Sequence, residues 1–136
     1  WTLFVDIYTI NDDGNLLDAG GIGAVAALMN AKIPKYDEEN SRVLHDEHSE
    51  ENVPLTKERP ISITGYKVGD KILFDPTREE EDAGETKVTV GISHGIISSM
   101  QKGNETDLDT EMFGEMIDMA EKVWQDLVTK IEKFIK

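Results

Sequence analysis

The chain has no cysteine among its 136 residues, and long apolar runs are also missing. Without cysteine there is neither a disulfide nor a thiolate metal site, which fits a protein of the reducing cytoplasm. No apolar run reaches the roughly 18 residues that a membrane-spanning helix requires. No signal-peptide pattern occurs either. We therefore expect a cytoplasmic protein that has no membrane partner.

Basic residues are scarce relative to acidic ones. The chain contains 14 Lys and Arg against 28 Asp and Glu, so its formal net charge is −14. A surface of this sign repels phosphate backbones, and we expect the isolated chain to bind nucleic acid poorly. The sequence starts at Trp1, without an initiator methionine, and runs directly into a predicted strand. We interpret it as a piece of a longer polypeptide.

The N-terminal segment predicts a strand followed by a helix. Residues 3–10 are rich in β-branched and aromatic side chains, and residues 11–14 carry the side chains typical of a turn. Asp18 is the predicted cap of a helix whose faces are mostly glycine, alanine and aliphatic residues. This composition predicts a central helix that is covered on most sides. A glycine-rich phosphate loop is the alternative, but the sequence has no G-x-G-x-x-G and no Lys-Ser/Thr after the glycines.

Residues 36–59 are acidic and have almost no apolar periodicity. They predict a solvated, mobile loop. His45 and His48 flank two acids in this segment, and imidazole with carboxylate would suit zinc or nickel. Nothing nearby would orient such ligands or exclude water. The prediction is therefore a loop without a metal.

The second half of the chain predicts a four-stranded sheet with helices. The predicted strands are residues 61–68, 71–74, 86–93 and 96–101. Turns are predicted at Gly69-Asp70 and at His94-Gly95. Between the second and third strands we expect a short helix, with Asp75 as its cap and Gly84 at its end.

The last predicted element is a long amphipathic helix with Asp109 as its cap. Its apolar residues form one stripe: Phe113, Met116, Ile117, Ala120, Val123, Trp124, Leu127, Ile131, Phe134 and Ile135. Such a helix covers one face of a sheet. The second half is therefore predicted to be an α+β unit.

Three stretches in this order resemble RNase PH-type proteins: residues 5–34, residues 60–92, and the MQKG turn at residues 100–103. The resemblance is strongest to the non-catalytic ring subunit of the archaeal exosome. It implies an RNase PH-like fold, with a four-stranded sheet and a long C-terminal helix. Residues 1–33 would be the last strand and helix of a first domain, residues 34–60 an acidic loop, and residues 61–136 the C-terminal domain.

The resemblance also implies a chemistry. Active members of the family shorten RNA from the 3′ end by phosphorolysis, which requires acids that bind metal or transfer protons. Their acidic motif begins at Asp75 in this sequence, and its Glu-Asp pair falls on Glu80 and Glu81. Its last aspartate falls on Lys87, which cannot bind Mg²⁺. We expect no catalytic residue, metal or cofactor, and we interpret residues 79–82 as a solvated, acid-rich helix start.

By resemblance, the chain would be a structural subunit of a hexameric exosome ring in archaea. An active paralogue would carry out 3′–5′ RNA degradation and processing, and RNA would contact the assembled complex. The N-terminal half of the same polypeptide would be a further partner. One alternative is an active exoribonuclease in which Glu81 works with Asp82 or Glu85. Another is an unrelated small acidic α+β interaction protein.

Overall fold

A computed structural model describes residues 2–57, 59–131 and 133. Its helices are α1 (Leu16–Asn30), α2 (Arg78–Asp82) and α3 (Thr110–Ile131). Its strands are β1 (Lys32–Asp37), β2 (Arg42–Asn52), β3 (Ile61–Val68), β4 (Lys71–Phe74), β5 (Thr86–Ser93) and β6 (Ile96–Gly103). Within these residues, no helix is both long enough and apolar enough to cross a membrane.

All four strands predicted in the second half are present, and the last continues to Gly103. Strands β3 to β6 form one antiparallel sheet in the order β4-β3-β5-β6. Alternate residues of β3 and β5 lie on the same face because strand side chains alternate with a period of two. On this face Ile63 pairs with Val90, and both are almost fully buried. This face forms the core of the α+β unit.

Helix α3 covers the core face, and its predicted cap is confirmed. The Asp109 carboxylate accepts a hydrogen bond of 2.8 Å from the Met112 amide. Met116 and Ala120 are the buried residues of the helix, and the predicted stripe as far as Ile131 packs against the core. Phe134 and Ile135 lie outside the described residues.

Helix α1 lies beside the first half of β3. Strand β4 pairs only with residues 65–68 of β3, so the preceding residues have a free edge on that side. The Thr64 amide there donates to the Asp18 carboxylate over 2.8 Å. The predicted cap was therefore wrong: Asn15, with φ 49, occupies the N-cap position, and Asp18 lies inside the first turn. The prediction that this helix is covered on most sides was also wrong, because Asp18 is its only buried residue.

Residues 3–10 form no strand, which corrects the prediction. A strand needs a neighbour that satisfies its backbone hydrogen bonds, and no described segment pairs with these residues. Their large side chains are exposed, with Phe4 and Tyr8 at 85% and Ile10 at 100%. The β-forming composition alone is therefore insufficient.

Residues 36–59 are not a loop throughout, which is a second correction. Strand β1 pairs with β2 in an antiparallel hairpin, and Lys35 forms an ion pair with Glu47 over 3.0 Å. At the turn, the Asp37 carboxylate accepts from the Asn40 amide over 3.1 Å, and Ser41 has φ 51. Most side chains of the hairpin are exposed, so its sequence shows little apolar alternation.

Helix α2 begins later than predicted. Thr77, not Asp75, is its N-cap, and Thr77 and Glu80 form a reciprocal capping box. Asp75 has φ 54 and instead accepts a hydrogen bond of 3.0 Å from the Asn15 side chain. The acids that follow Thr77 stabilise the helix start because they face the positive end of the helix dipole.

Candidate functional site

Four residues from separate parts of the chain meet beside α2. We call Asn15, Tyr66, Glu81 and Lys87 the Glu81 cluster. Glu81 lies on α2, Tyr66 on β3, Lys87 on β5 and Asn15 at the start of α1. Tyr66 and Lys87 are cross-strand partners in the sheet register. Their side chains therefore project from the same face of the sheet, opposite the face that α3 covers.

Hydrogen bonds and charge hold Glu81 in place. One carboxylate oxygen accepts from the Tyr66 hydroxyl over 2.8 Å, and the other accepts from the Asn15 amide over 3.1 Å. The Lys87 Nζ lies 3.6 Å from the first of these oxygens. It also lies 5.4 Å from the centroid of the Tyr66 ring, within the range of a cation–π interaction.

The loop before α1 is pressed against the start of α2, which explains how Asn15 reaches Glu81. Gly14 has φ 92, and a Cβ there would lie 2.4 Å from the Pro76 carbonyl oxygen. Only glycine fits this position, both for its backbone conformation and for its space. The contact brings the Asn15 amide to Glu81 across 66 residues of sequence.

These contacts shift the ionisation of Glu81 and Tyr66. Burial opposes ionisation of Glu81, but hydrogen bonds from Tyr66 and Asn15, with Lys87 and Arg78 nearby, outweigh it and lower the pKa of Glu81. Burial, together with the hydrogen bond to Glu81, raises the pKa of Tyr66 well above its usual range. At neutral pH the cluster therefore contains an ionised Glu81 and a neutral Tyr66.

The sequence motif identified Glu81 and Lys87 as the altered acid positions. We interpreted residues 79–82, which include Glu81, as a solvated helix start. For Glu79, Glu80 and Asp82 this holds, since all three are exposed. For Glu81 the interpretation was wrong, because its side chain is only 22% exposed and is hydrogen-bonded on both oxygens. Tyr66 and Asn15 were missed; no local motif signals either partner.

The other acids proposed as substitutes do not join the Glu81 cluster. Asp82 pairs with Arg78 on the same helix over 3.3 Å. The Glu85 carboxylate accepts from the Gly69 amide over 2.9 Å and pairs with Lys67. The structure therefore brings Lys87 to Glu81 and directs Asp82 and Glu85 to other partners.

Asp18 is a buried acid on the side of α1 that contacts β3. Asp18 is 6% exposed and accepts 2.7 and 2.8 Å hydrogen bonds from the Thr64 hydroxyl and amide. Burial raises the pKa of Asp18 despite these hydrogen bonds. No local sequence motif indicates this role, because Thr64 lies 46 residues away.

An open cleft of about 550 Å³ adjoins the Glu81 cluster. It is bounded by Glu81, Lys87 and Arg78 on one side and by small residues of α1 on the other. Both cations, Arg78 and Lys87, already have acidic partners.

His45 and His48, the candidate metal ligands, lie on β2. In the described parts of the chain, no group of three or more His, Cys, Asp or Glu is arranged to hold a metal.

Two family models match the sequence. Residues 1–34 match domain 1, and residues 58–123 match domain 2, of the 3′ exoribonuclease family known as RNase PH. The chain belongs to this family. The alternative of an unrelated acidic interaction protein was therefore wrong.

Curated relatives are archaeal proteins named exosome complex component Rrp42. The protein of Thermococcus onnurineus is 43% identical over 122 residues, which cover 87% of this chain and 44% of the relative. The protein of Pyrococcus furiosus is 39% identical over 139 residues, covering 96% of this chain and 49% of the relative. The chain thus spans about half the length of the curated relatives it matches.

Solved exosome structures contain the same fold. An Archaeoglobus fulgidus exosome with RNA bound to the active site matches with a TM-score of 0.72 at 36% identity, over 89% of this chain and 45% of that one. An archaeal exosome core matches with a TM-score of 0.73 at 35% identity, over 90% and 47% of the two chains. The predicted RNase PH-like fold is confirmed.

Proposed function

We propose that the protein is a non-catalytic structural subunit of an archaeal exosome ring. In this role it supports 3′–5′ phosphorolytic degradation and processing of RNA by an active paralogue, in the cytoplasm. The observation that carries the proposal is the position of the Lys87 ammonium, 3.6 Å from the Glu81 carboxylate. By the resemblance to the family, Lys87 falls where the acidic motif would end in an aspartate.

The residues present do not suit the divalent metal that the family's chemistry implies. A magnesium ion needs oxygen ligands, and an ammonium beside Glu81 repels it. The Glu81 oxygens are already engaged by Tyr66 and Asn15. We therefore assign no catalytic residue, metal or cofactor to the Glu81 cluster, and we interpret it as a structural contact between α2 and the sheet.

We also propose how the chain is divided. Residues 1–33 would be the last part of a first RNase PH domain, and residues 61–136 would form the second domain. Residues 34–60 would be the acidic segment that connects the two domains. The family matches at residues 1–34 and 58–123 support this division. The proposed partners are an active RNase PH-like subunit in a hetero-oligomeric, six-membered ring, RNA bound by the assembled complex, and the N-terminal half of the same polypeptide.

A phosphorolysis assay tests the proposal. The purified full-length protein is incubated with RNA, inorganic phosphate and Mg²⁺, and released nucleoside diphosphates are measured. We expect none from the protein alone and release once the active paralogue is added. We also expect none from Lys87→Asp, because Glu81 would still be held by Tyr66 and Asn15. Robust phosphorolysis by the homogeneous protein would defeat the non-catalytic assignment.

Co-purification tests the partner. Affinity-purified full-length protein should carry a second RNase PH-like chain in equal amount, as expected for alternating subunits of a ring. Mass spectrometry of the purified particle identifies the chain and its stoichiometry. A homogeneous particle that contains only the bait would contradict the proposed assembly.

A further inference from the structure

Asp18 joins two parts of the chain that match different domains of the family. It lies on α1, in the segment that matches domain 1, whereas its partner Thr64 lies on β3, in the segment that matches domain 2. Between these segments the chain forms the β1–β2 hairpin, whose side chains are mostly exposed. The contact between Asp18 and Thr64 is therefore a direct link between the two domain segments.

Thr64 presents two hydrogen-bond donors to Asp18 at the edge of the sheet. The Thr64 amide donates over 2.8 Å and the Thr64 hydroxyl over 2.7 Å. Among the described residues, β4 pairs only with residues 65–68 of β3, so no strand competes for the Thr64 amide. The Thr64 hydroxyl also lies 3.0 Å from the Thr89 hydroxyl on β5. Two hydroxyl groups thus connect Asp18 on α1 to the central strand β5.

This hydroxyl chain accommodates Asp18 in either protonation state. An ionised carboxylate only accepts, so the Thr64 hydroxyl donates to it and accepts from Thr89. A protonated Asp18 donates to the Thr64 hydroxyl, which then donates to Thr89, and its other oxygen still accepts from the Thr64 amide. Hydroxyl hydrogens rotate freely, so the change of proton requires no movement of heavier atoms.

The surroundings of Asp18 favour the protonated form. Asp18 is 6% exposed, and a buried charge without a cation is costly. Titratable groups face it from three directions: Asp75 follows β4, Tyr66 lies on β3, and Asp126 and Lys130 form an ion pair on α3. In the described parts of the chain, no lysine or arginine pairs with Asp18 itself. Burial, with the charge of Asp75 nearby, raises the pKa of Asp18 despite its hydrogen bonds.

We propose that Asp18 and Thr64 form a proton-dependent latch between the two domain segments, in which α1 docks on β3 more tightly when Asp18 is protonated. When α1 separates from β3, Asp18 becomes hydrated and returns to its ordinary affinity for a proton. The docking of α1 therefore weakens as the pH rises from 3.8 through the pKa of Asp18 in the folded protein. The docking constant changes by about tenfold for each pH unit that separates the two pKa values.

Exchange of the Thr64 amide in the full-length protein tests the latch. This amide is bound by the Asp18 carboxyl group, so its exchange with solvent reports the opening of the contact. NMR measures its protection relative to the amides of β5 at a series of values from about pH 4 to about pH 8. We expect the protection of Thr64 to fall as the pH rises, while the protection of β5 changes less.

Two substitutions of Asp18 fix the closed and the open latch. Asp18→Asn imitates the protonated acid, because its oxygen accepts from the Thr64 amide and its amino group donates to the Thr64 hydroxyl. We expect Thr64 to be well protected in this variant at every pH. Asp18→Ala removes both hydrogen bonds, so protection should be low at every pH. The control Asp70→Asn removes the same charge from an exposed turn and should follow the unaltered protein.

The comparison with Asp18→Asn separates this latch from the other acids of the chain. At each pH, the ratio of Thr64 protection in the unaltered protein and in Asp18→Asn cancels their effects, because both proteins contain them. A ratio that is independent of pH overturns the proposal. Protection in Asp18→Asn as low as in Asp18→Ala also overturns it, since the contact would then require two accepting oxygens.

Titration of the Asp18 carboxyl carbon by NMR is a check that needs no variant. The pKa of Asp18 in the full-length protein should exceed 3.8 by the amount that the exchange data require. A pKa at or below 3.8 would contradict the latch. Neither measurement depends on phosphorolysis, so the latch and the non-catalytic role are tested separately.

Discussion

Glu81 is a residue whose ionisation should contribute to stability at acid pH. Its pKa is lowered in the folded protein from an ordinary value of 4.5. The stability that it contributes is therefore fully present above pH 4.5 and is lost as the pH falls through the folded pKa. We expect Glu81→Gln to flatten this acid-side loss, measured by urea unfolding of the full-length protein at a series of pH values.

The matched control for this titration is Glu79→Gln, an exposed neighbour on α2. It should leave the pH dependence almost unchanged, because exposed charges in water interact weakly. If the stability of the unaltered protein and that of Glu81→Gln depend on pH in the same way, the role given to Tyr66, Asn15 and Lys87 is contradicted.

Asp18 acts in the opposite direction. Burial raises its pKa above the ordinary value of 3.8, so the stability that it contributes declines as the pH rises from 3.8 through the folded pKa.

At the residue scale, the sequence indicated which residues stand at the site but not which residues form hydrogen bonds with them. The family motif placed Glu81 and Lys87, whereas the bonds that hold Glu81 come from Tyr66, 15 residues away, and Asn15, 66 residues away. Side chains brought together by tertiary structure leave no periodic signal. Asp18 shows the same limit: its position suggested a local cap, but its partner is a strand edge.

Helix α3 packs closely on β3, and glycine makes this approach possible. A Cβ at Gly65 would lie 2.6 Å from Met116 Cγ, too close without movement of the helix or its side chain. We expect Gly65→Ala to destabilise the protein by about 1–3 kcal/mol through overpacking. The free energy of unfolding in urea measures this change.

Gly114 provides the opposite case on the same helix. A Cβ there meets no atom within 4 Å, so Gly114→Ala should stabilise α3 by about 1 kcal/mol through helix propensity. Opposite signs for the two alanine variants would support the packing of α3 on β3. Destabilisation by both, or by neither, would contradict it.

The β1–β2 hairpin should be the least protected paired element. Its side chains are mostly exposed, and a two-stranded sheet has little stability of its own. We expect the amides of residues 45–51 to exchange with solvent faster than those of β3 and β5. Proteases should cleave there first. Hydrogen exchange followed by mass spectrometry checks this, and protection equal to that of the central strands would contradict it.

At the element scale, apolar periodicity accounts for most of the correct predictions. Strands β3 and β5 and helix α3 each bury one face, and their patterns were visible in the sequence. Strand β6 is exposed along almost its whole length, and it was predicted because it follows the turn at His94-Gly95. The hairpin and α2 bury little, so the acidic residues of the hairpin suggested a loop, and the start of α2 was predicted at Asp75 instead of Thr77. Residues 3–10 have a strand composition without a described neighbour to pair with, which no local pattern reveals.

The whole chain combines high negative charge with an apolar N-terminal surface. Its formal net charge is −14, which disfavours association of identical copies. Yet Phe4, Tyr8 and Ile10 are exposed, and an apolar cleft of about 440 Å³ lies between residues 5–11 and α1. Exposed apolar surface of this kind favours contact with another surface.

The balance of these two effects is testable with the chain of residues 1–136. We expect it to remain in solution only in association, either with a non-covalently bound N-terminal half or as paired copies. Size-exclusion chromatography with light scattering gives the mass of the particle, and mass spectrometry of the same peak identifies its chains. Raising the salt concentration should favour pairing of copies, because it screens their repulsion. Ile10→Lys should reduce pairing, whereas Asp13→Lys, a neighbouring exposed position that is not apolar, should not. A monodisperse monomer that unfolds cooperatively would show that the apolar surface needs no cover.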